Sequence, residues 1–110
     1  MAEQEGDTPV LDLLTKMTTA SLESSSLDPK ALMQVRIAAL VAVDAPPASY
    51  LMNLGAAGDV GVGEEDVRGV LAAVAPIVGT ARVVSAAGKM VRALGLALEF
   101  AELESEEGGG

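Results

Sequence analysis

Three polar side chains lie close together in segment 46–53, directly after a run of small apolar residues. Ser49 and Asn53 are four residues apart, so a helix places them on one face. Tyr50 lies beside them and carries the only phenol of the chain, a group that donates or accepts a hydrogen bond. A hydroxyl, a phenol and an amide at this spacing can orient a small polar ligand.

Each of these side chains also has a structural interpretation. Ser49 and Asn53 can satisfy nearby backbone groups or groups at a subunit interface. Tyr50 can be a packing residue whose hydroxyl is hydrogen-bonded, rather than a proton donor. Both interpretations stay open from the sequence.

Arg36 precedes the most apolar part of the chain, where an unpaired guanidinium would be costly to bury. It can clamp a ligand carboxylate through two hydrogen bonds. It can also pair with Asp44, with Asp59 or with an acid of a neighbouring subunit. The ligand-binding hypothesis therefore consists of Arg36, Ser49 and Asn53, with Tyr50 as the candidate catalytic residue.

The chain of 110 residues contains no cysteine and no histidine. Disulfides, thiolate chemistry, imidazole bases and the usual zinc, copper and haem ligands are therefore excluded. Any catalysis must use Asp, Glu, Tyr, Lys, Arg, Ser, Thr or backbone groups. We expect no metal and no cofactor.

The formal net charge is −9, from 16 acidic and 7 basic residues. A nucleic-acid surface requires clustered cations, so we expect no nucleic-acid partner. The sequence has no apolar run of the ~20 residues that span a bilayer, and we expect no membrane partner. The acidic start MAEQEGD lacks the basic and apolar parts of a secretion signal, which predicts a cytoplasmic protein.

Half of the residues are hydrophobic, yet only Tyr50 and Phe100 are aromatic. Such a core is built from Ala, Val, Leu, Ile and Met, and its small side chains allow helices to approach closely. A thin, alanine-rich domain often completes its burial against another subunit, so the composition predicts a homo-oligomer.

The pattern predicts one all-α domain of five helices, because no segment alternates at period two over a useful length. Residues 1–7 and 105–110 are expected to be disordered, and residues 8–104 to form the helical domain. Proline or acidic start signals and glycine or proline breaks give the helix bounds. The expected helices cover residues 9–23, 29–43, 47–57, 64–77 and 81 to 102 or beyond.

The pattern predicts an apolar face on the first helix and another on the fifth. The first helix has Val10, Leu13, Leu14, Met17 and Leu22 on one face; the fifth has Val84, Ala87, Val91, Leu94, Leu98 and Ala101 at helical period. The second, fourth and fifth helices are expected to form the oligomeric core.

The glycine-rich segment 55–63 predicts a turn rather than a phosphate loop, because no strand precedes it.

The segments SLDPKALMQVRIAALVAV, GVGEEDVRGVLAAVAP and GTARVVSAAGKM occur in this order over about residues 27–98. In this order and spacing they resemble the carboxymuconolactone decarboxylase family, which includes the alkylhydroperoxidase D proteins. The resemblance implies an all-helical domain that assembles into trimers or hexamers.

The redox branch of that family carries Cys-x-x-Cys-x-x-x-His on the short helix, and the matching positions here are Pro46, Ser49 and Asn53. Thiol peroxidase chemistry is therefore excluded for this chain. The lactone decarboxylases carry glutamate and histidine in this neighbourhood, and Ala48, Ser49 and Asn53 supply neither.

Two functional hypotheses follow. The first is a non-redox, oligomeric binding or structural subunit. The second is a lyase or isomerase that acts on a small organic acid or lactone, with Arg36 holding the carboxylate and Tyr50 donating a proton.

Overall fold

The computed structural model describes residues 8–109, with side chains through residue 95. Within these residues the chain forms five helices and no strand, which confirms the all-α prediction. The helices are α1 (Pro9–Ser24), α2 (Pro29–Ala42), α3 (Pro47–Asp59), α4 (Glu64–Val78) and α5 (Thr80–Gly109). The predictions for residues 1–7 and for Gly110 lie outside the described residues.

The N-terminus of α2 is fixed by its cap. Asp28 Oδ1 accepts a hydrogen bond of 2.8 Å from the backbone N–H of Ala31, and Pro29 occupies the first turn, where no N–H is needed. In α1 the corresponding Thr8 hydroxyl donates to Asp12 Oδ1 at 3.3 Å and makes no cap to the backbone. The same type of start signal therefore produces a capped helix in one case and an uncapped helix in the other.

The acidic run at the start of α4 forms a helix cap and ion pairs. Asp66 Oδ2 accepts a 3.0 Å hydrogen bond from the Gly63 N–H and lies 3.4 Å from Lys30 Nζ. Glu64 pairs with Arg68 one turn later, at 2.6 Å. The hydrogen bond from Gly63, followed by the contact with Lys30, lowers the pKa of Asp66. Within the described side chains, no three acidic groups meet as a metal site would require.

The C-terminus of α2 closes in a Schellman motif. The Ala45 N–H donates to Leu40 O at 3.0 Å, and the Asp44 N–H donates to Val41 O at 3.2 Å. Asp44 occupies the left-handed position of this motif, with a φ of 54°. Glycine is the usual residue at this position, since a side chain there is strained.

The C-terminus of α3 closes in the same way. The Val62 N–H donates to Ala57 O at 3.0 Å, and the Gly61 N–H donates to Gly58 O at 3.2 Å. Here the left-handed residue is Gly61, with a φ of 92°. The turn is confined to residues 60–63, because Gly55 and Gly58 of the predicted turn segment lie inside α3.

The core consists of two adjoining groups of buried side chains. Leu32, Met33, Ile37, Ala57 and Val62 form the first group; Val41, Ala45, Tyr50, Ala86 and Ala93 form the second. Helix α2 contributes to both groups and packs against α3, α4 and α5. Ile37, Val41 and Tyr50 have no exposed surface at all.

Most of the buried core side chains of a single chain belong to α2, α3 and α5. Helix α3 packs against α2 and α5, and it contributes Tyr50 and Ala57 to the core. No residue of α4 is fully buried. Tyr50 packs with Val41 of α2 and with Ala86 and Ala93 of α5. Leu71, Val74 and Val78 of α4 are partly buried against the same group.

The face by which α5 packs also differs from its apolar stripe. Ala86 and Ala93 are buried against α2 and α3, whereas Val84, Val91 and Leu94 remain 60–70% exposed. Small side chains allow close approach of the helices, and this outweighs the larger apolar area of the valines. Leu98 and Ala101 lie beyond the described side chains.

The backbone of α5 stays helical through Gly109, where the sequence predicted a disordered tail over residues 105–110. Glutamate is a good helix former, and this propensity offsets the unfavourable interaction of acids with the helix C-terminus. None of the helices in the described part of the chain is long and apolar enough to cross a bilayer.

Candidate functional site

Ser49, Tyr50 and Asn53 lie on α3, as predicted, but they do not act as one group. Asn53 Nδ2 donates a 2.8 Å hydrogen bond to the backbone oxygen of Ser49, one turn earlier in the same helix. Both residues are half-buried. This bond agrees with the interpretation in which the Asn53 side chain satisfies a nearby backbone group.

Tyr50 lies entirely within the core. Its ring packs in the group that contains Val41, Ala86 and Ala93, and its Oη has no hydrogen-bond partner among the described residues. Burial, followed by the nearby Asp44 carboxylate, raises the pKa of Tyr50 above its ordinary value of 10.0. The phenol is therefore neutral at physiological pH and keeps its proton.

Arg36 lies on α2 and extends toward α1. Its Nη2 donates a 3.0 Å hydrogen bond to Ser21 Oγ. Within the part of the chain that the structure describes, neither of the acids proposed for it, Asp44 or Asp59, is its partner. The hydrogen bonds of Arg36 and Asn53 thus lead to different helices, and no observed contact joins the guanidinium to α3.

The three positions matched to the redox motif occupy the first turns of α3. Pro46 precedes the helix, and its carbonyl oxygen accepts a 3.0 Å hydrogen bond from the Ser49 N–H. Ser49 and Asn53 follow on one face. The scaffold therefore places three adjacent side chains at these positions, but they are an imino ring, a hydroxyl and an amide.

A polar cluster that sequence reasoning missed lies where α2 ends. Asp44 Oδ1 accepts hydrogen bonds of 2.8 Å from both Ser85 Oγ and Lys89 Nζ, and its backbone oxygen accepts from Lys89 at 3.1 Å. Arg82 Nη1 donates to the carbonyl oxygen of Ala42 at 2.7 Å. Arg82 and Lys89 of α5 thus satisfy backbone carbonyls at the end of α2, and the Ser85 hydroxyl donates to the Asp44 carboxylate.

The electrostatics of this cluster are favourable for the fold. Cations at a helix C-terminus interact well with the helix dipole. The hydrogen bonds from Lys89 and then Ser85 lower the pKa of Asp44, so its carboxylate stays ionised. These contacts hold the left-handed Asp44 in place and join α2 to α5.

The sequence did contain a signal for this cluster. Arg82, Ser85 and Lys89 recur at helical spacing, in a segment, residues 81–91, whose other residues are small or apolar. The partner was hidden, because it lies more than 40 residues earlier in the chain.

An apolar groove of about 260 Å³ lies between α3 and α5. It is lined by Leu51, Leu54, Gly55, Ala93 and Leu94. At 100° per residue, Leu51 and Gly55 lie on the opposite side of α3 from Ser49 and Asn53. The groove therefore contains none of the predicted ligand-binding side chains.

Helix α1 presents a second apolar surface. Its large apolar side chains are between 50% and 67% exposed; they are Val10, Leu11, Leu13, Leu14, Met17 and Leu22. In the described residues α1 makes no packing contact with another helix, and the bond from Arg36 to Ser21 joins its C-terminal end to α2. We call these six side chains the α1 stripe.

No protein-family model, no curated protein and no solved structure matches this chain. The resemblance to the carboxymuconolactone decarboxylase family therefore stays a prediction from sequence segments.

Proposed function

We propose that the chain is a non-redox, oligomeric binding or structural subunit. The carboxymuconolactone decarboxylase-like fold, and the trimer or hexamer that the resemblance implies, are parts of this proposal. In this proposal the protein acts by binding through its apolar surfaces and not by catalysing a reaction.

The exposed α1 stripe is the observation that carries the proposal. A soluble monomer rarely keeps a continuous apolar surface of this kind, and such surfaces usually mark a binding site. The helix is also attached to the rest of the described chain by a single side-chain hydrogen bond. A helix this poorly packed gains its stability from a partner, because tertiary contacts stabilise most helices in proteins.

The magnitude of the gain is sufficient for association. Burying the remaining surface of one half-exposed aliphatic side chain contributes about 1 kcal/mol, so the six side chains contribute on the order of 5 kcal/mol. A receiving surface of equal area contributes a similar amount. The sum exceeds the lower estimates of about 4 kcal/mol for the entropy lost on association.

The test is the mass of the purified full chain in solution, measured by analytical ultracentrifugation over a wide concentration range. We expect a discrete oligomer that dissociates on dilution. A single species at the monomer mass of 11.1 kDa over the whole range would contradict the proposal.

A second candidate function rests on Tyr50. A buried phenol with a raised pKa and no partner among the described side chains is a neutral hydrogen-bond donor, the kind of group that a lyase or isomerase of organic acids can use. In the described residues Arg36 contacts Ser21 instead of facing this phenol. This hypothesis therefore requires a rearrangement that brings ligand, Arg36 and Tyr50 together.

A thermal-shift screen with small organic acids and lactones tests the second candidate. A ligand at a hundred times its dissociation constant stabilises the native state by about 2.7 kcal/mol. Tyr50→Phe is the matched variant, since it removes only the hydroxyl. A shift in the wild type that is lost in Tyr50→Phe would support an enzymatic site, and no shift with any compound would count against it.

A further inference from the structure

Helix α5 carries an apolar face on the side that points away from the core. Val84, Gly88, Val91 and Gly95 recur at positions i, i+4, i+7 and i+11, the period of helices that pack side by side along their length. Val84 and Val91 are 65% and 70% exposed, and both glycines are exposed as well. We call these four residues the α5 face.

We propose that the α5 faces of two copies of this chain pack against each other in antiparallel orientation. This inference rests on the proposed oligomeric function, and it assigns to that function a surface separate from the α1 stripe.

The α5 face is complementary to itself in this orientation. In an antiparallel pair with two-fold symmetry, the register that places Gly88 opposite Val91 of the second copy also places Gly95 opposite Val84. Each valine then meets a glycine, so that large and small residues interdigitate across the contact. A Cβ atom added at Gly88 or at Gly95 would meet no atom within 4 Å, so both positions are open to an incoming valine. Parallel pairing in register would instead place valine on valine and glycine on glycine.

The charge along α5 selects the same orientation. Residues 80–95 contain three cations and no acid, whereas residues 96–109 contain five glutamates and no cation. Parallel pairing would bring the five glutamates of each copy together at one end of the dimer. Antiparallel pairing separates the two acidic segments, because position 99 of one copy then lies opposite Thr80 of the other.

The start of α5 is a favourable neighbour for an acidic segment. The N-terminus of a helix is the positive end of its dipole. Arg82 lies in the same first turn, and its bond to the Ala42 carbonyl leaves its positive charge in place. Lys89 is already neutralised by Asp44 and does not enter the comparison.

The expected strength of the contact follows from its length. In this register the helices face each other over residues 81–98, which corresponds to about 26 Å of α-helix. Two helices in contact over this length make an interface at the small end of the range for specific association. We therefore expect a dimer contact that dissociates at roughly micromolar concentrations.

Two variants of the full chain test whether the α5 face is the contact. Val84→Gln/Val91→Gln removes the large apolar side chains, and Gly88→Gln blocks the close approach of the helices. All three side chains lie on the exposed side of α5, and glutamine is a better helix former than valine or glycine. Both variants therefore keep their fold, which far-ultraviolet circular dichroism checks.

The matched control is Gly69→Gln. Gly69 is another exposed helical glycine at which an added Cβ would meet no atom within 4 Å, but it lies on α4. In sedimentation experiments we expect each α5 variant to raise the dissociation constant of the dimer contact by roughly thirtyfold or more. Gly69→Gln should change it by less than about threefold, and an equal loss in the control would overturn the inference.

Disulfide trapping tests the orientation, since the chain has no cysteine of its own. In Val84→Cys/Gly95→Cys each new thiol faces the other position of the second copy. Oxidation with oxidised glutathione should therefore give a covalent dimer. In Val84→Cys alone, the two thiols of an antiparallel dimer are about 16 Å apart along the helix, too far for a disulfide. A covalent dimer of Val84→Cys alone would show parallel pairing and would overturn the inference.

The remaining outcomes separate this inference from the proposed function. A wild-type oligomer that persists unchanged in both α5 variants would overturn pairing through α5 and leave the oligomeric function standing on the α1 stripe. A wild-type chain that is monomeric at all concentrations would overturn both.

Discussion

Helices α1 and α2 begin with the same type of signal, a polar residue followed by proline, and both carry many apolar side chains, yet their environments are opposite. Ile37 and Val41 of α2 have no exposed surface, whereas Leu13 and Leu14 of α1 are more than half exposed. An apolar period thus predicts that a helix forms, but it does not identify the surface that covers it.

The ends of α2 are also better satisfied by hydrogen bonds from other residues than the start of α1 is. Asp28 caps α2, and the side chains of Arg82 and Lys89 satisfy carbonyl groups at its C-terminus. In α1, the Thr8 hydroxyl donates to a side chain instead of capping the helix. Helix α2 is stabilised within the chain at both ends and along its length, and α1 is not.

Truncating one apolar side chain in each helix gives the largest expected difference. Ile37→Ala should destabilise the chain by about 2–5 kcal/mol, because it removes fully buried methyl groups and leaves a cavity. Leu14→Ala should change the stability by no more than about 0.5 kcal/mol at concentrations where the chain is monomeric. Urea unfolding on diluted protein measures both values, and similar costs would mean that α1 packs within its own chain.

The phenol that packs against α2 provides the next test. Tyr50→Phe removes a buried hydroxyl that has no described partner, so it should stabilise the native state by about 1 kcal/mol. Most substitutions of buried tyrosine lose a hydrogen bond and have the opposite sign. A loss of stability in the same urea assay would show that the hydroxyl has a partner in solution.

The two N-terminal caps form a matched pair. Asp28→Ala should cost about 1 kcal/mol, because the Ala31 N–H loses its partner. Thr8→Ala should cost close to nothing, since no backbone group depends on its hydroxyl. Equal costs in thermal unfolding would contradict the difference between the two helix starts.

The smallest effect concerns pH and the C-terminus of α2. The native pKa of Asp44 is lowered, so its contribution to stability is fully present above the unfolded value of 3.8 and is lost as pH falls through the native pKa. In Lys89→Gln the native pKa of Asp44 should rise toward its ordinary value. Carboxyl chemical shifts followed by NMR measure this change, and an unchanged Asp44 titration would exclude Lys89 as the cause.

The sequence predicted the five helices well, since proline, glycine and acidic residues determine their ends locally. Gly61 and Pro29, for example, act within one or two turns of their own positions. The larger apolar side chains of the fifth helix, Val84 and Val91, did not indicate that Ala86 and Ala93 are the residues buried within the chain. Close approach of helices depends on the partner surface, which the sequence of one helix does not contain.

The candidate site was harder to predict for the same reason. Ser49, Tyr50 and Asn53 were placed correctly on α3, and a nearby backbone group was one of the partners expected for Asn53. The partners of Arg36 and Asp44 were not foreseen. Arg36 contacts Ser21, 15 residues earlier, and Asp44 contacts residues more than 40 positions later. Contacts between distant segments depend on the packing of the helices, whereas spacing within one segment reports only which side chains share a face.

The position of Tyr50 has a spectroscopic consequence. The chain has no tryptophan and one tyrosine, so a single ring, buried between α2, α3 and α5, dominates its near-ultraviolet absorption, fluorescence and circular dichroism. An unfolding curve followed by near-ultraviolet circular dichroism or by tyrosine fluorescence therefore reports the packing around Tyr50 alone. Far-ultraviolet circular dichroism reports the helices as a whole, α1 included, and any difference between the two curves measures how far α1 unfolds independently of the core.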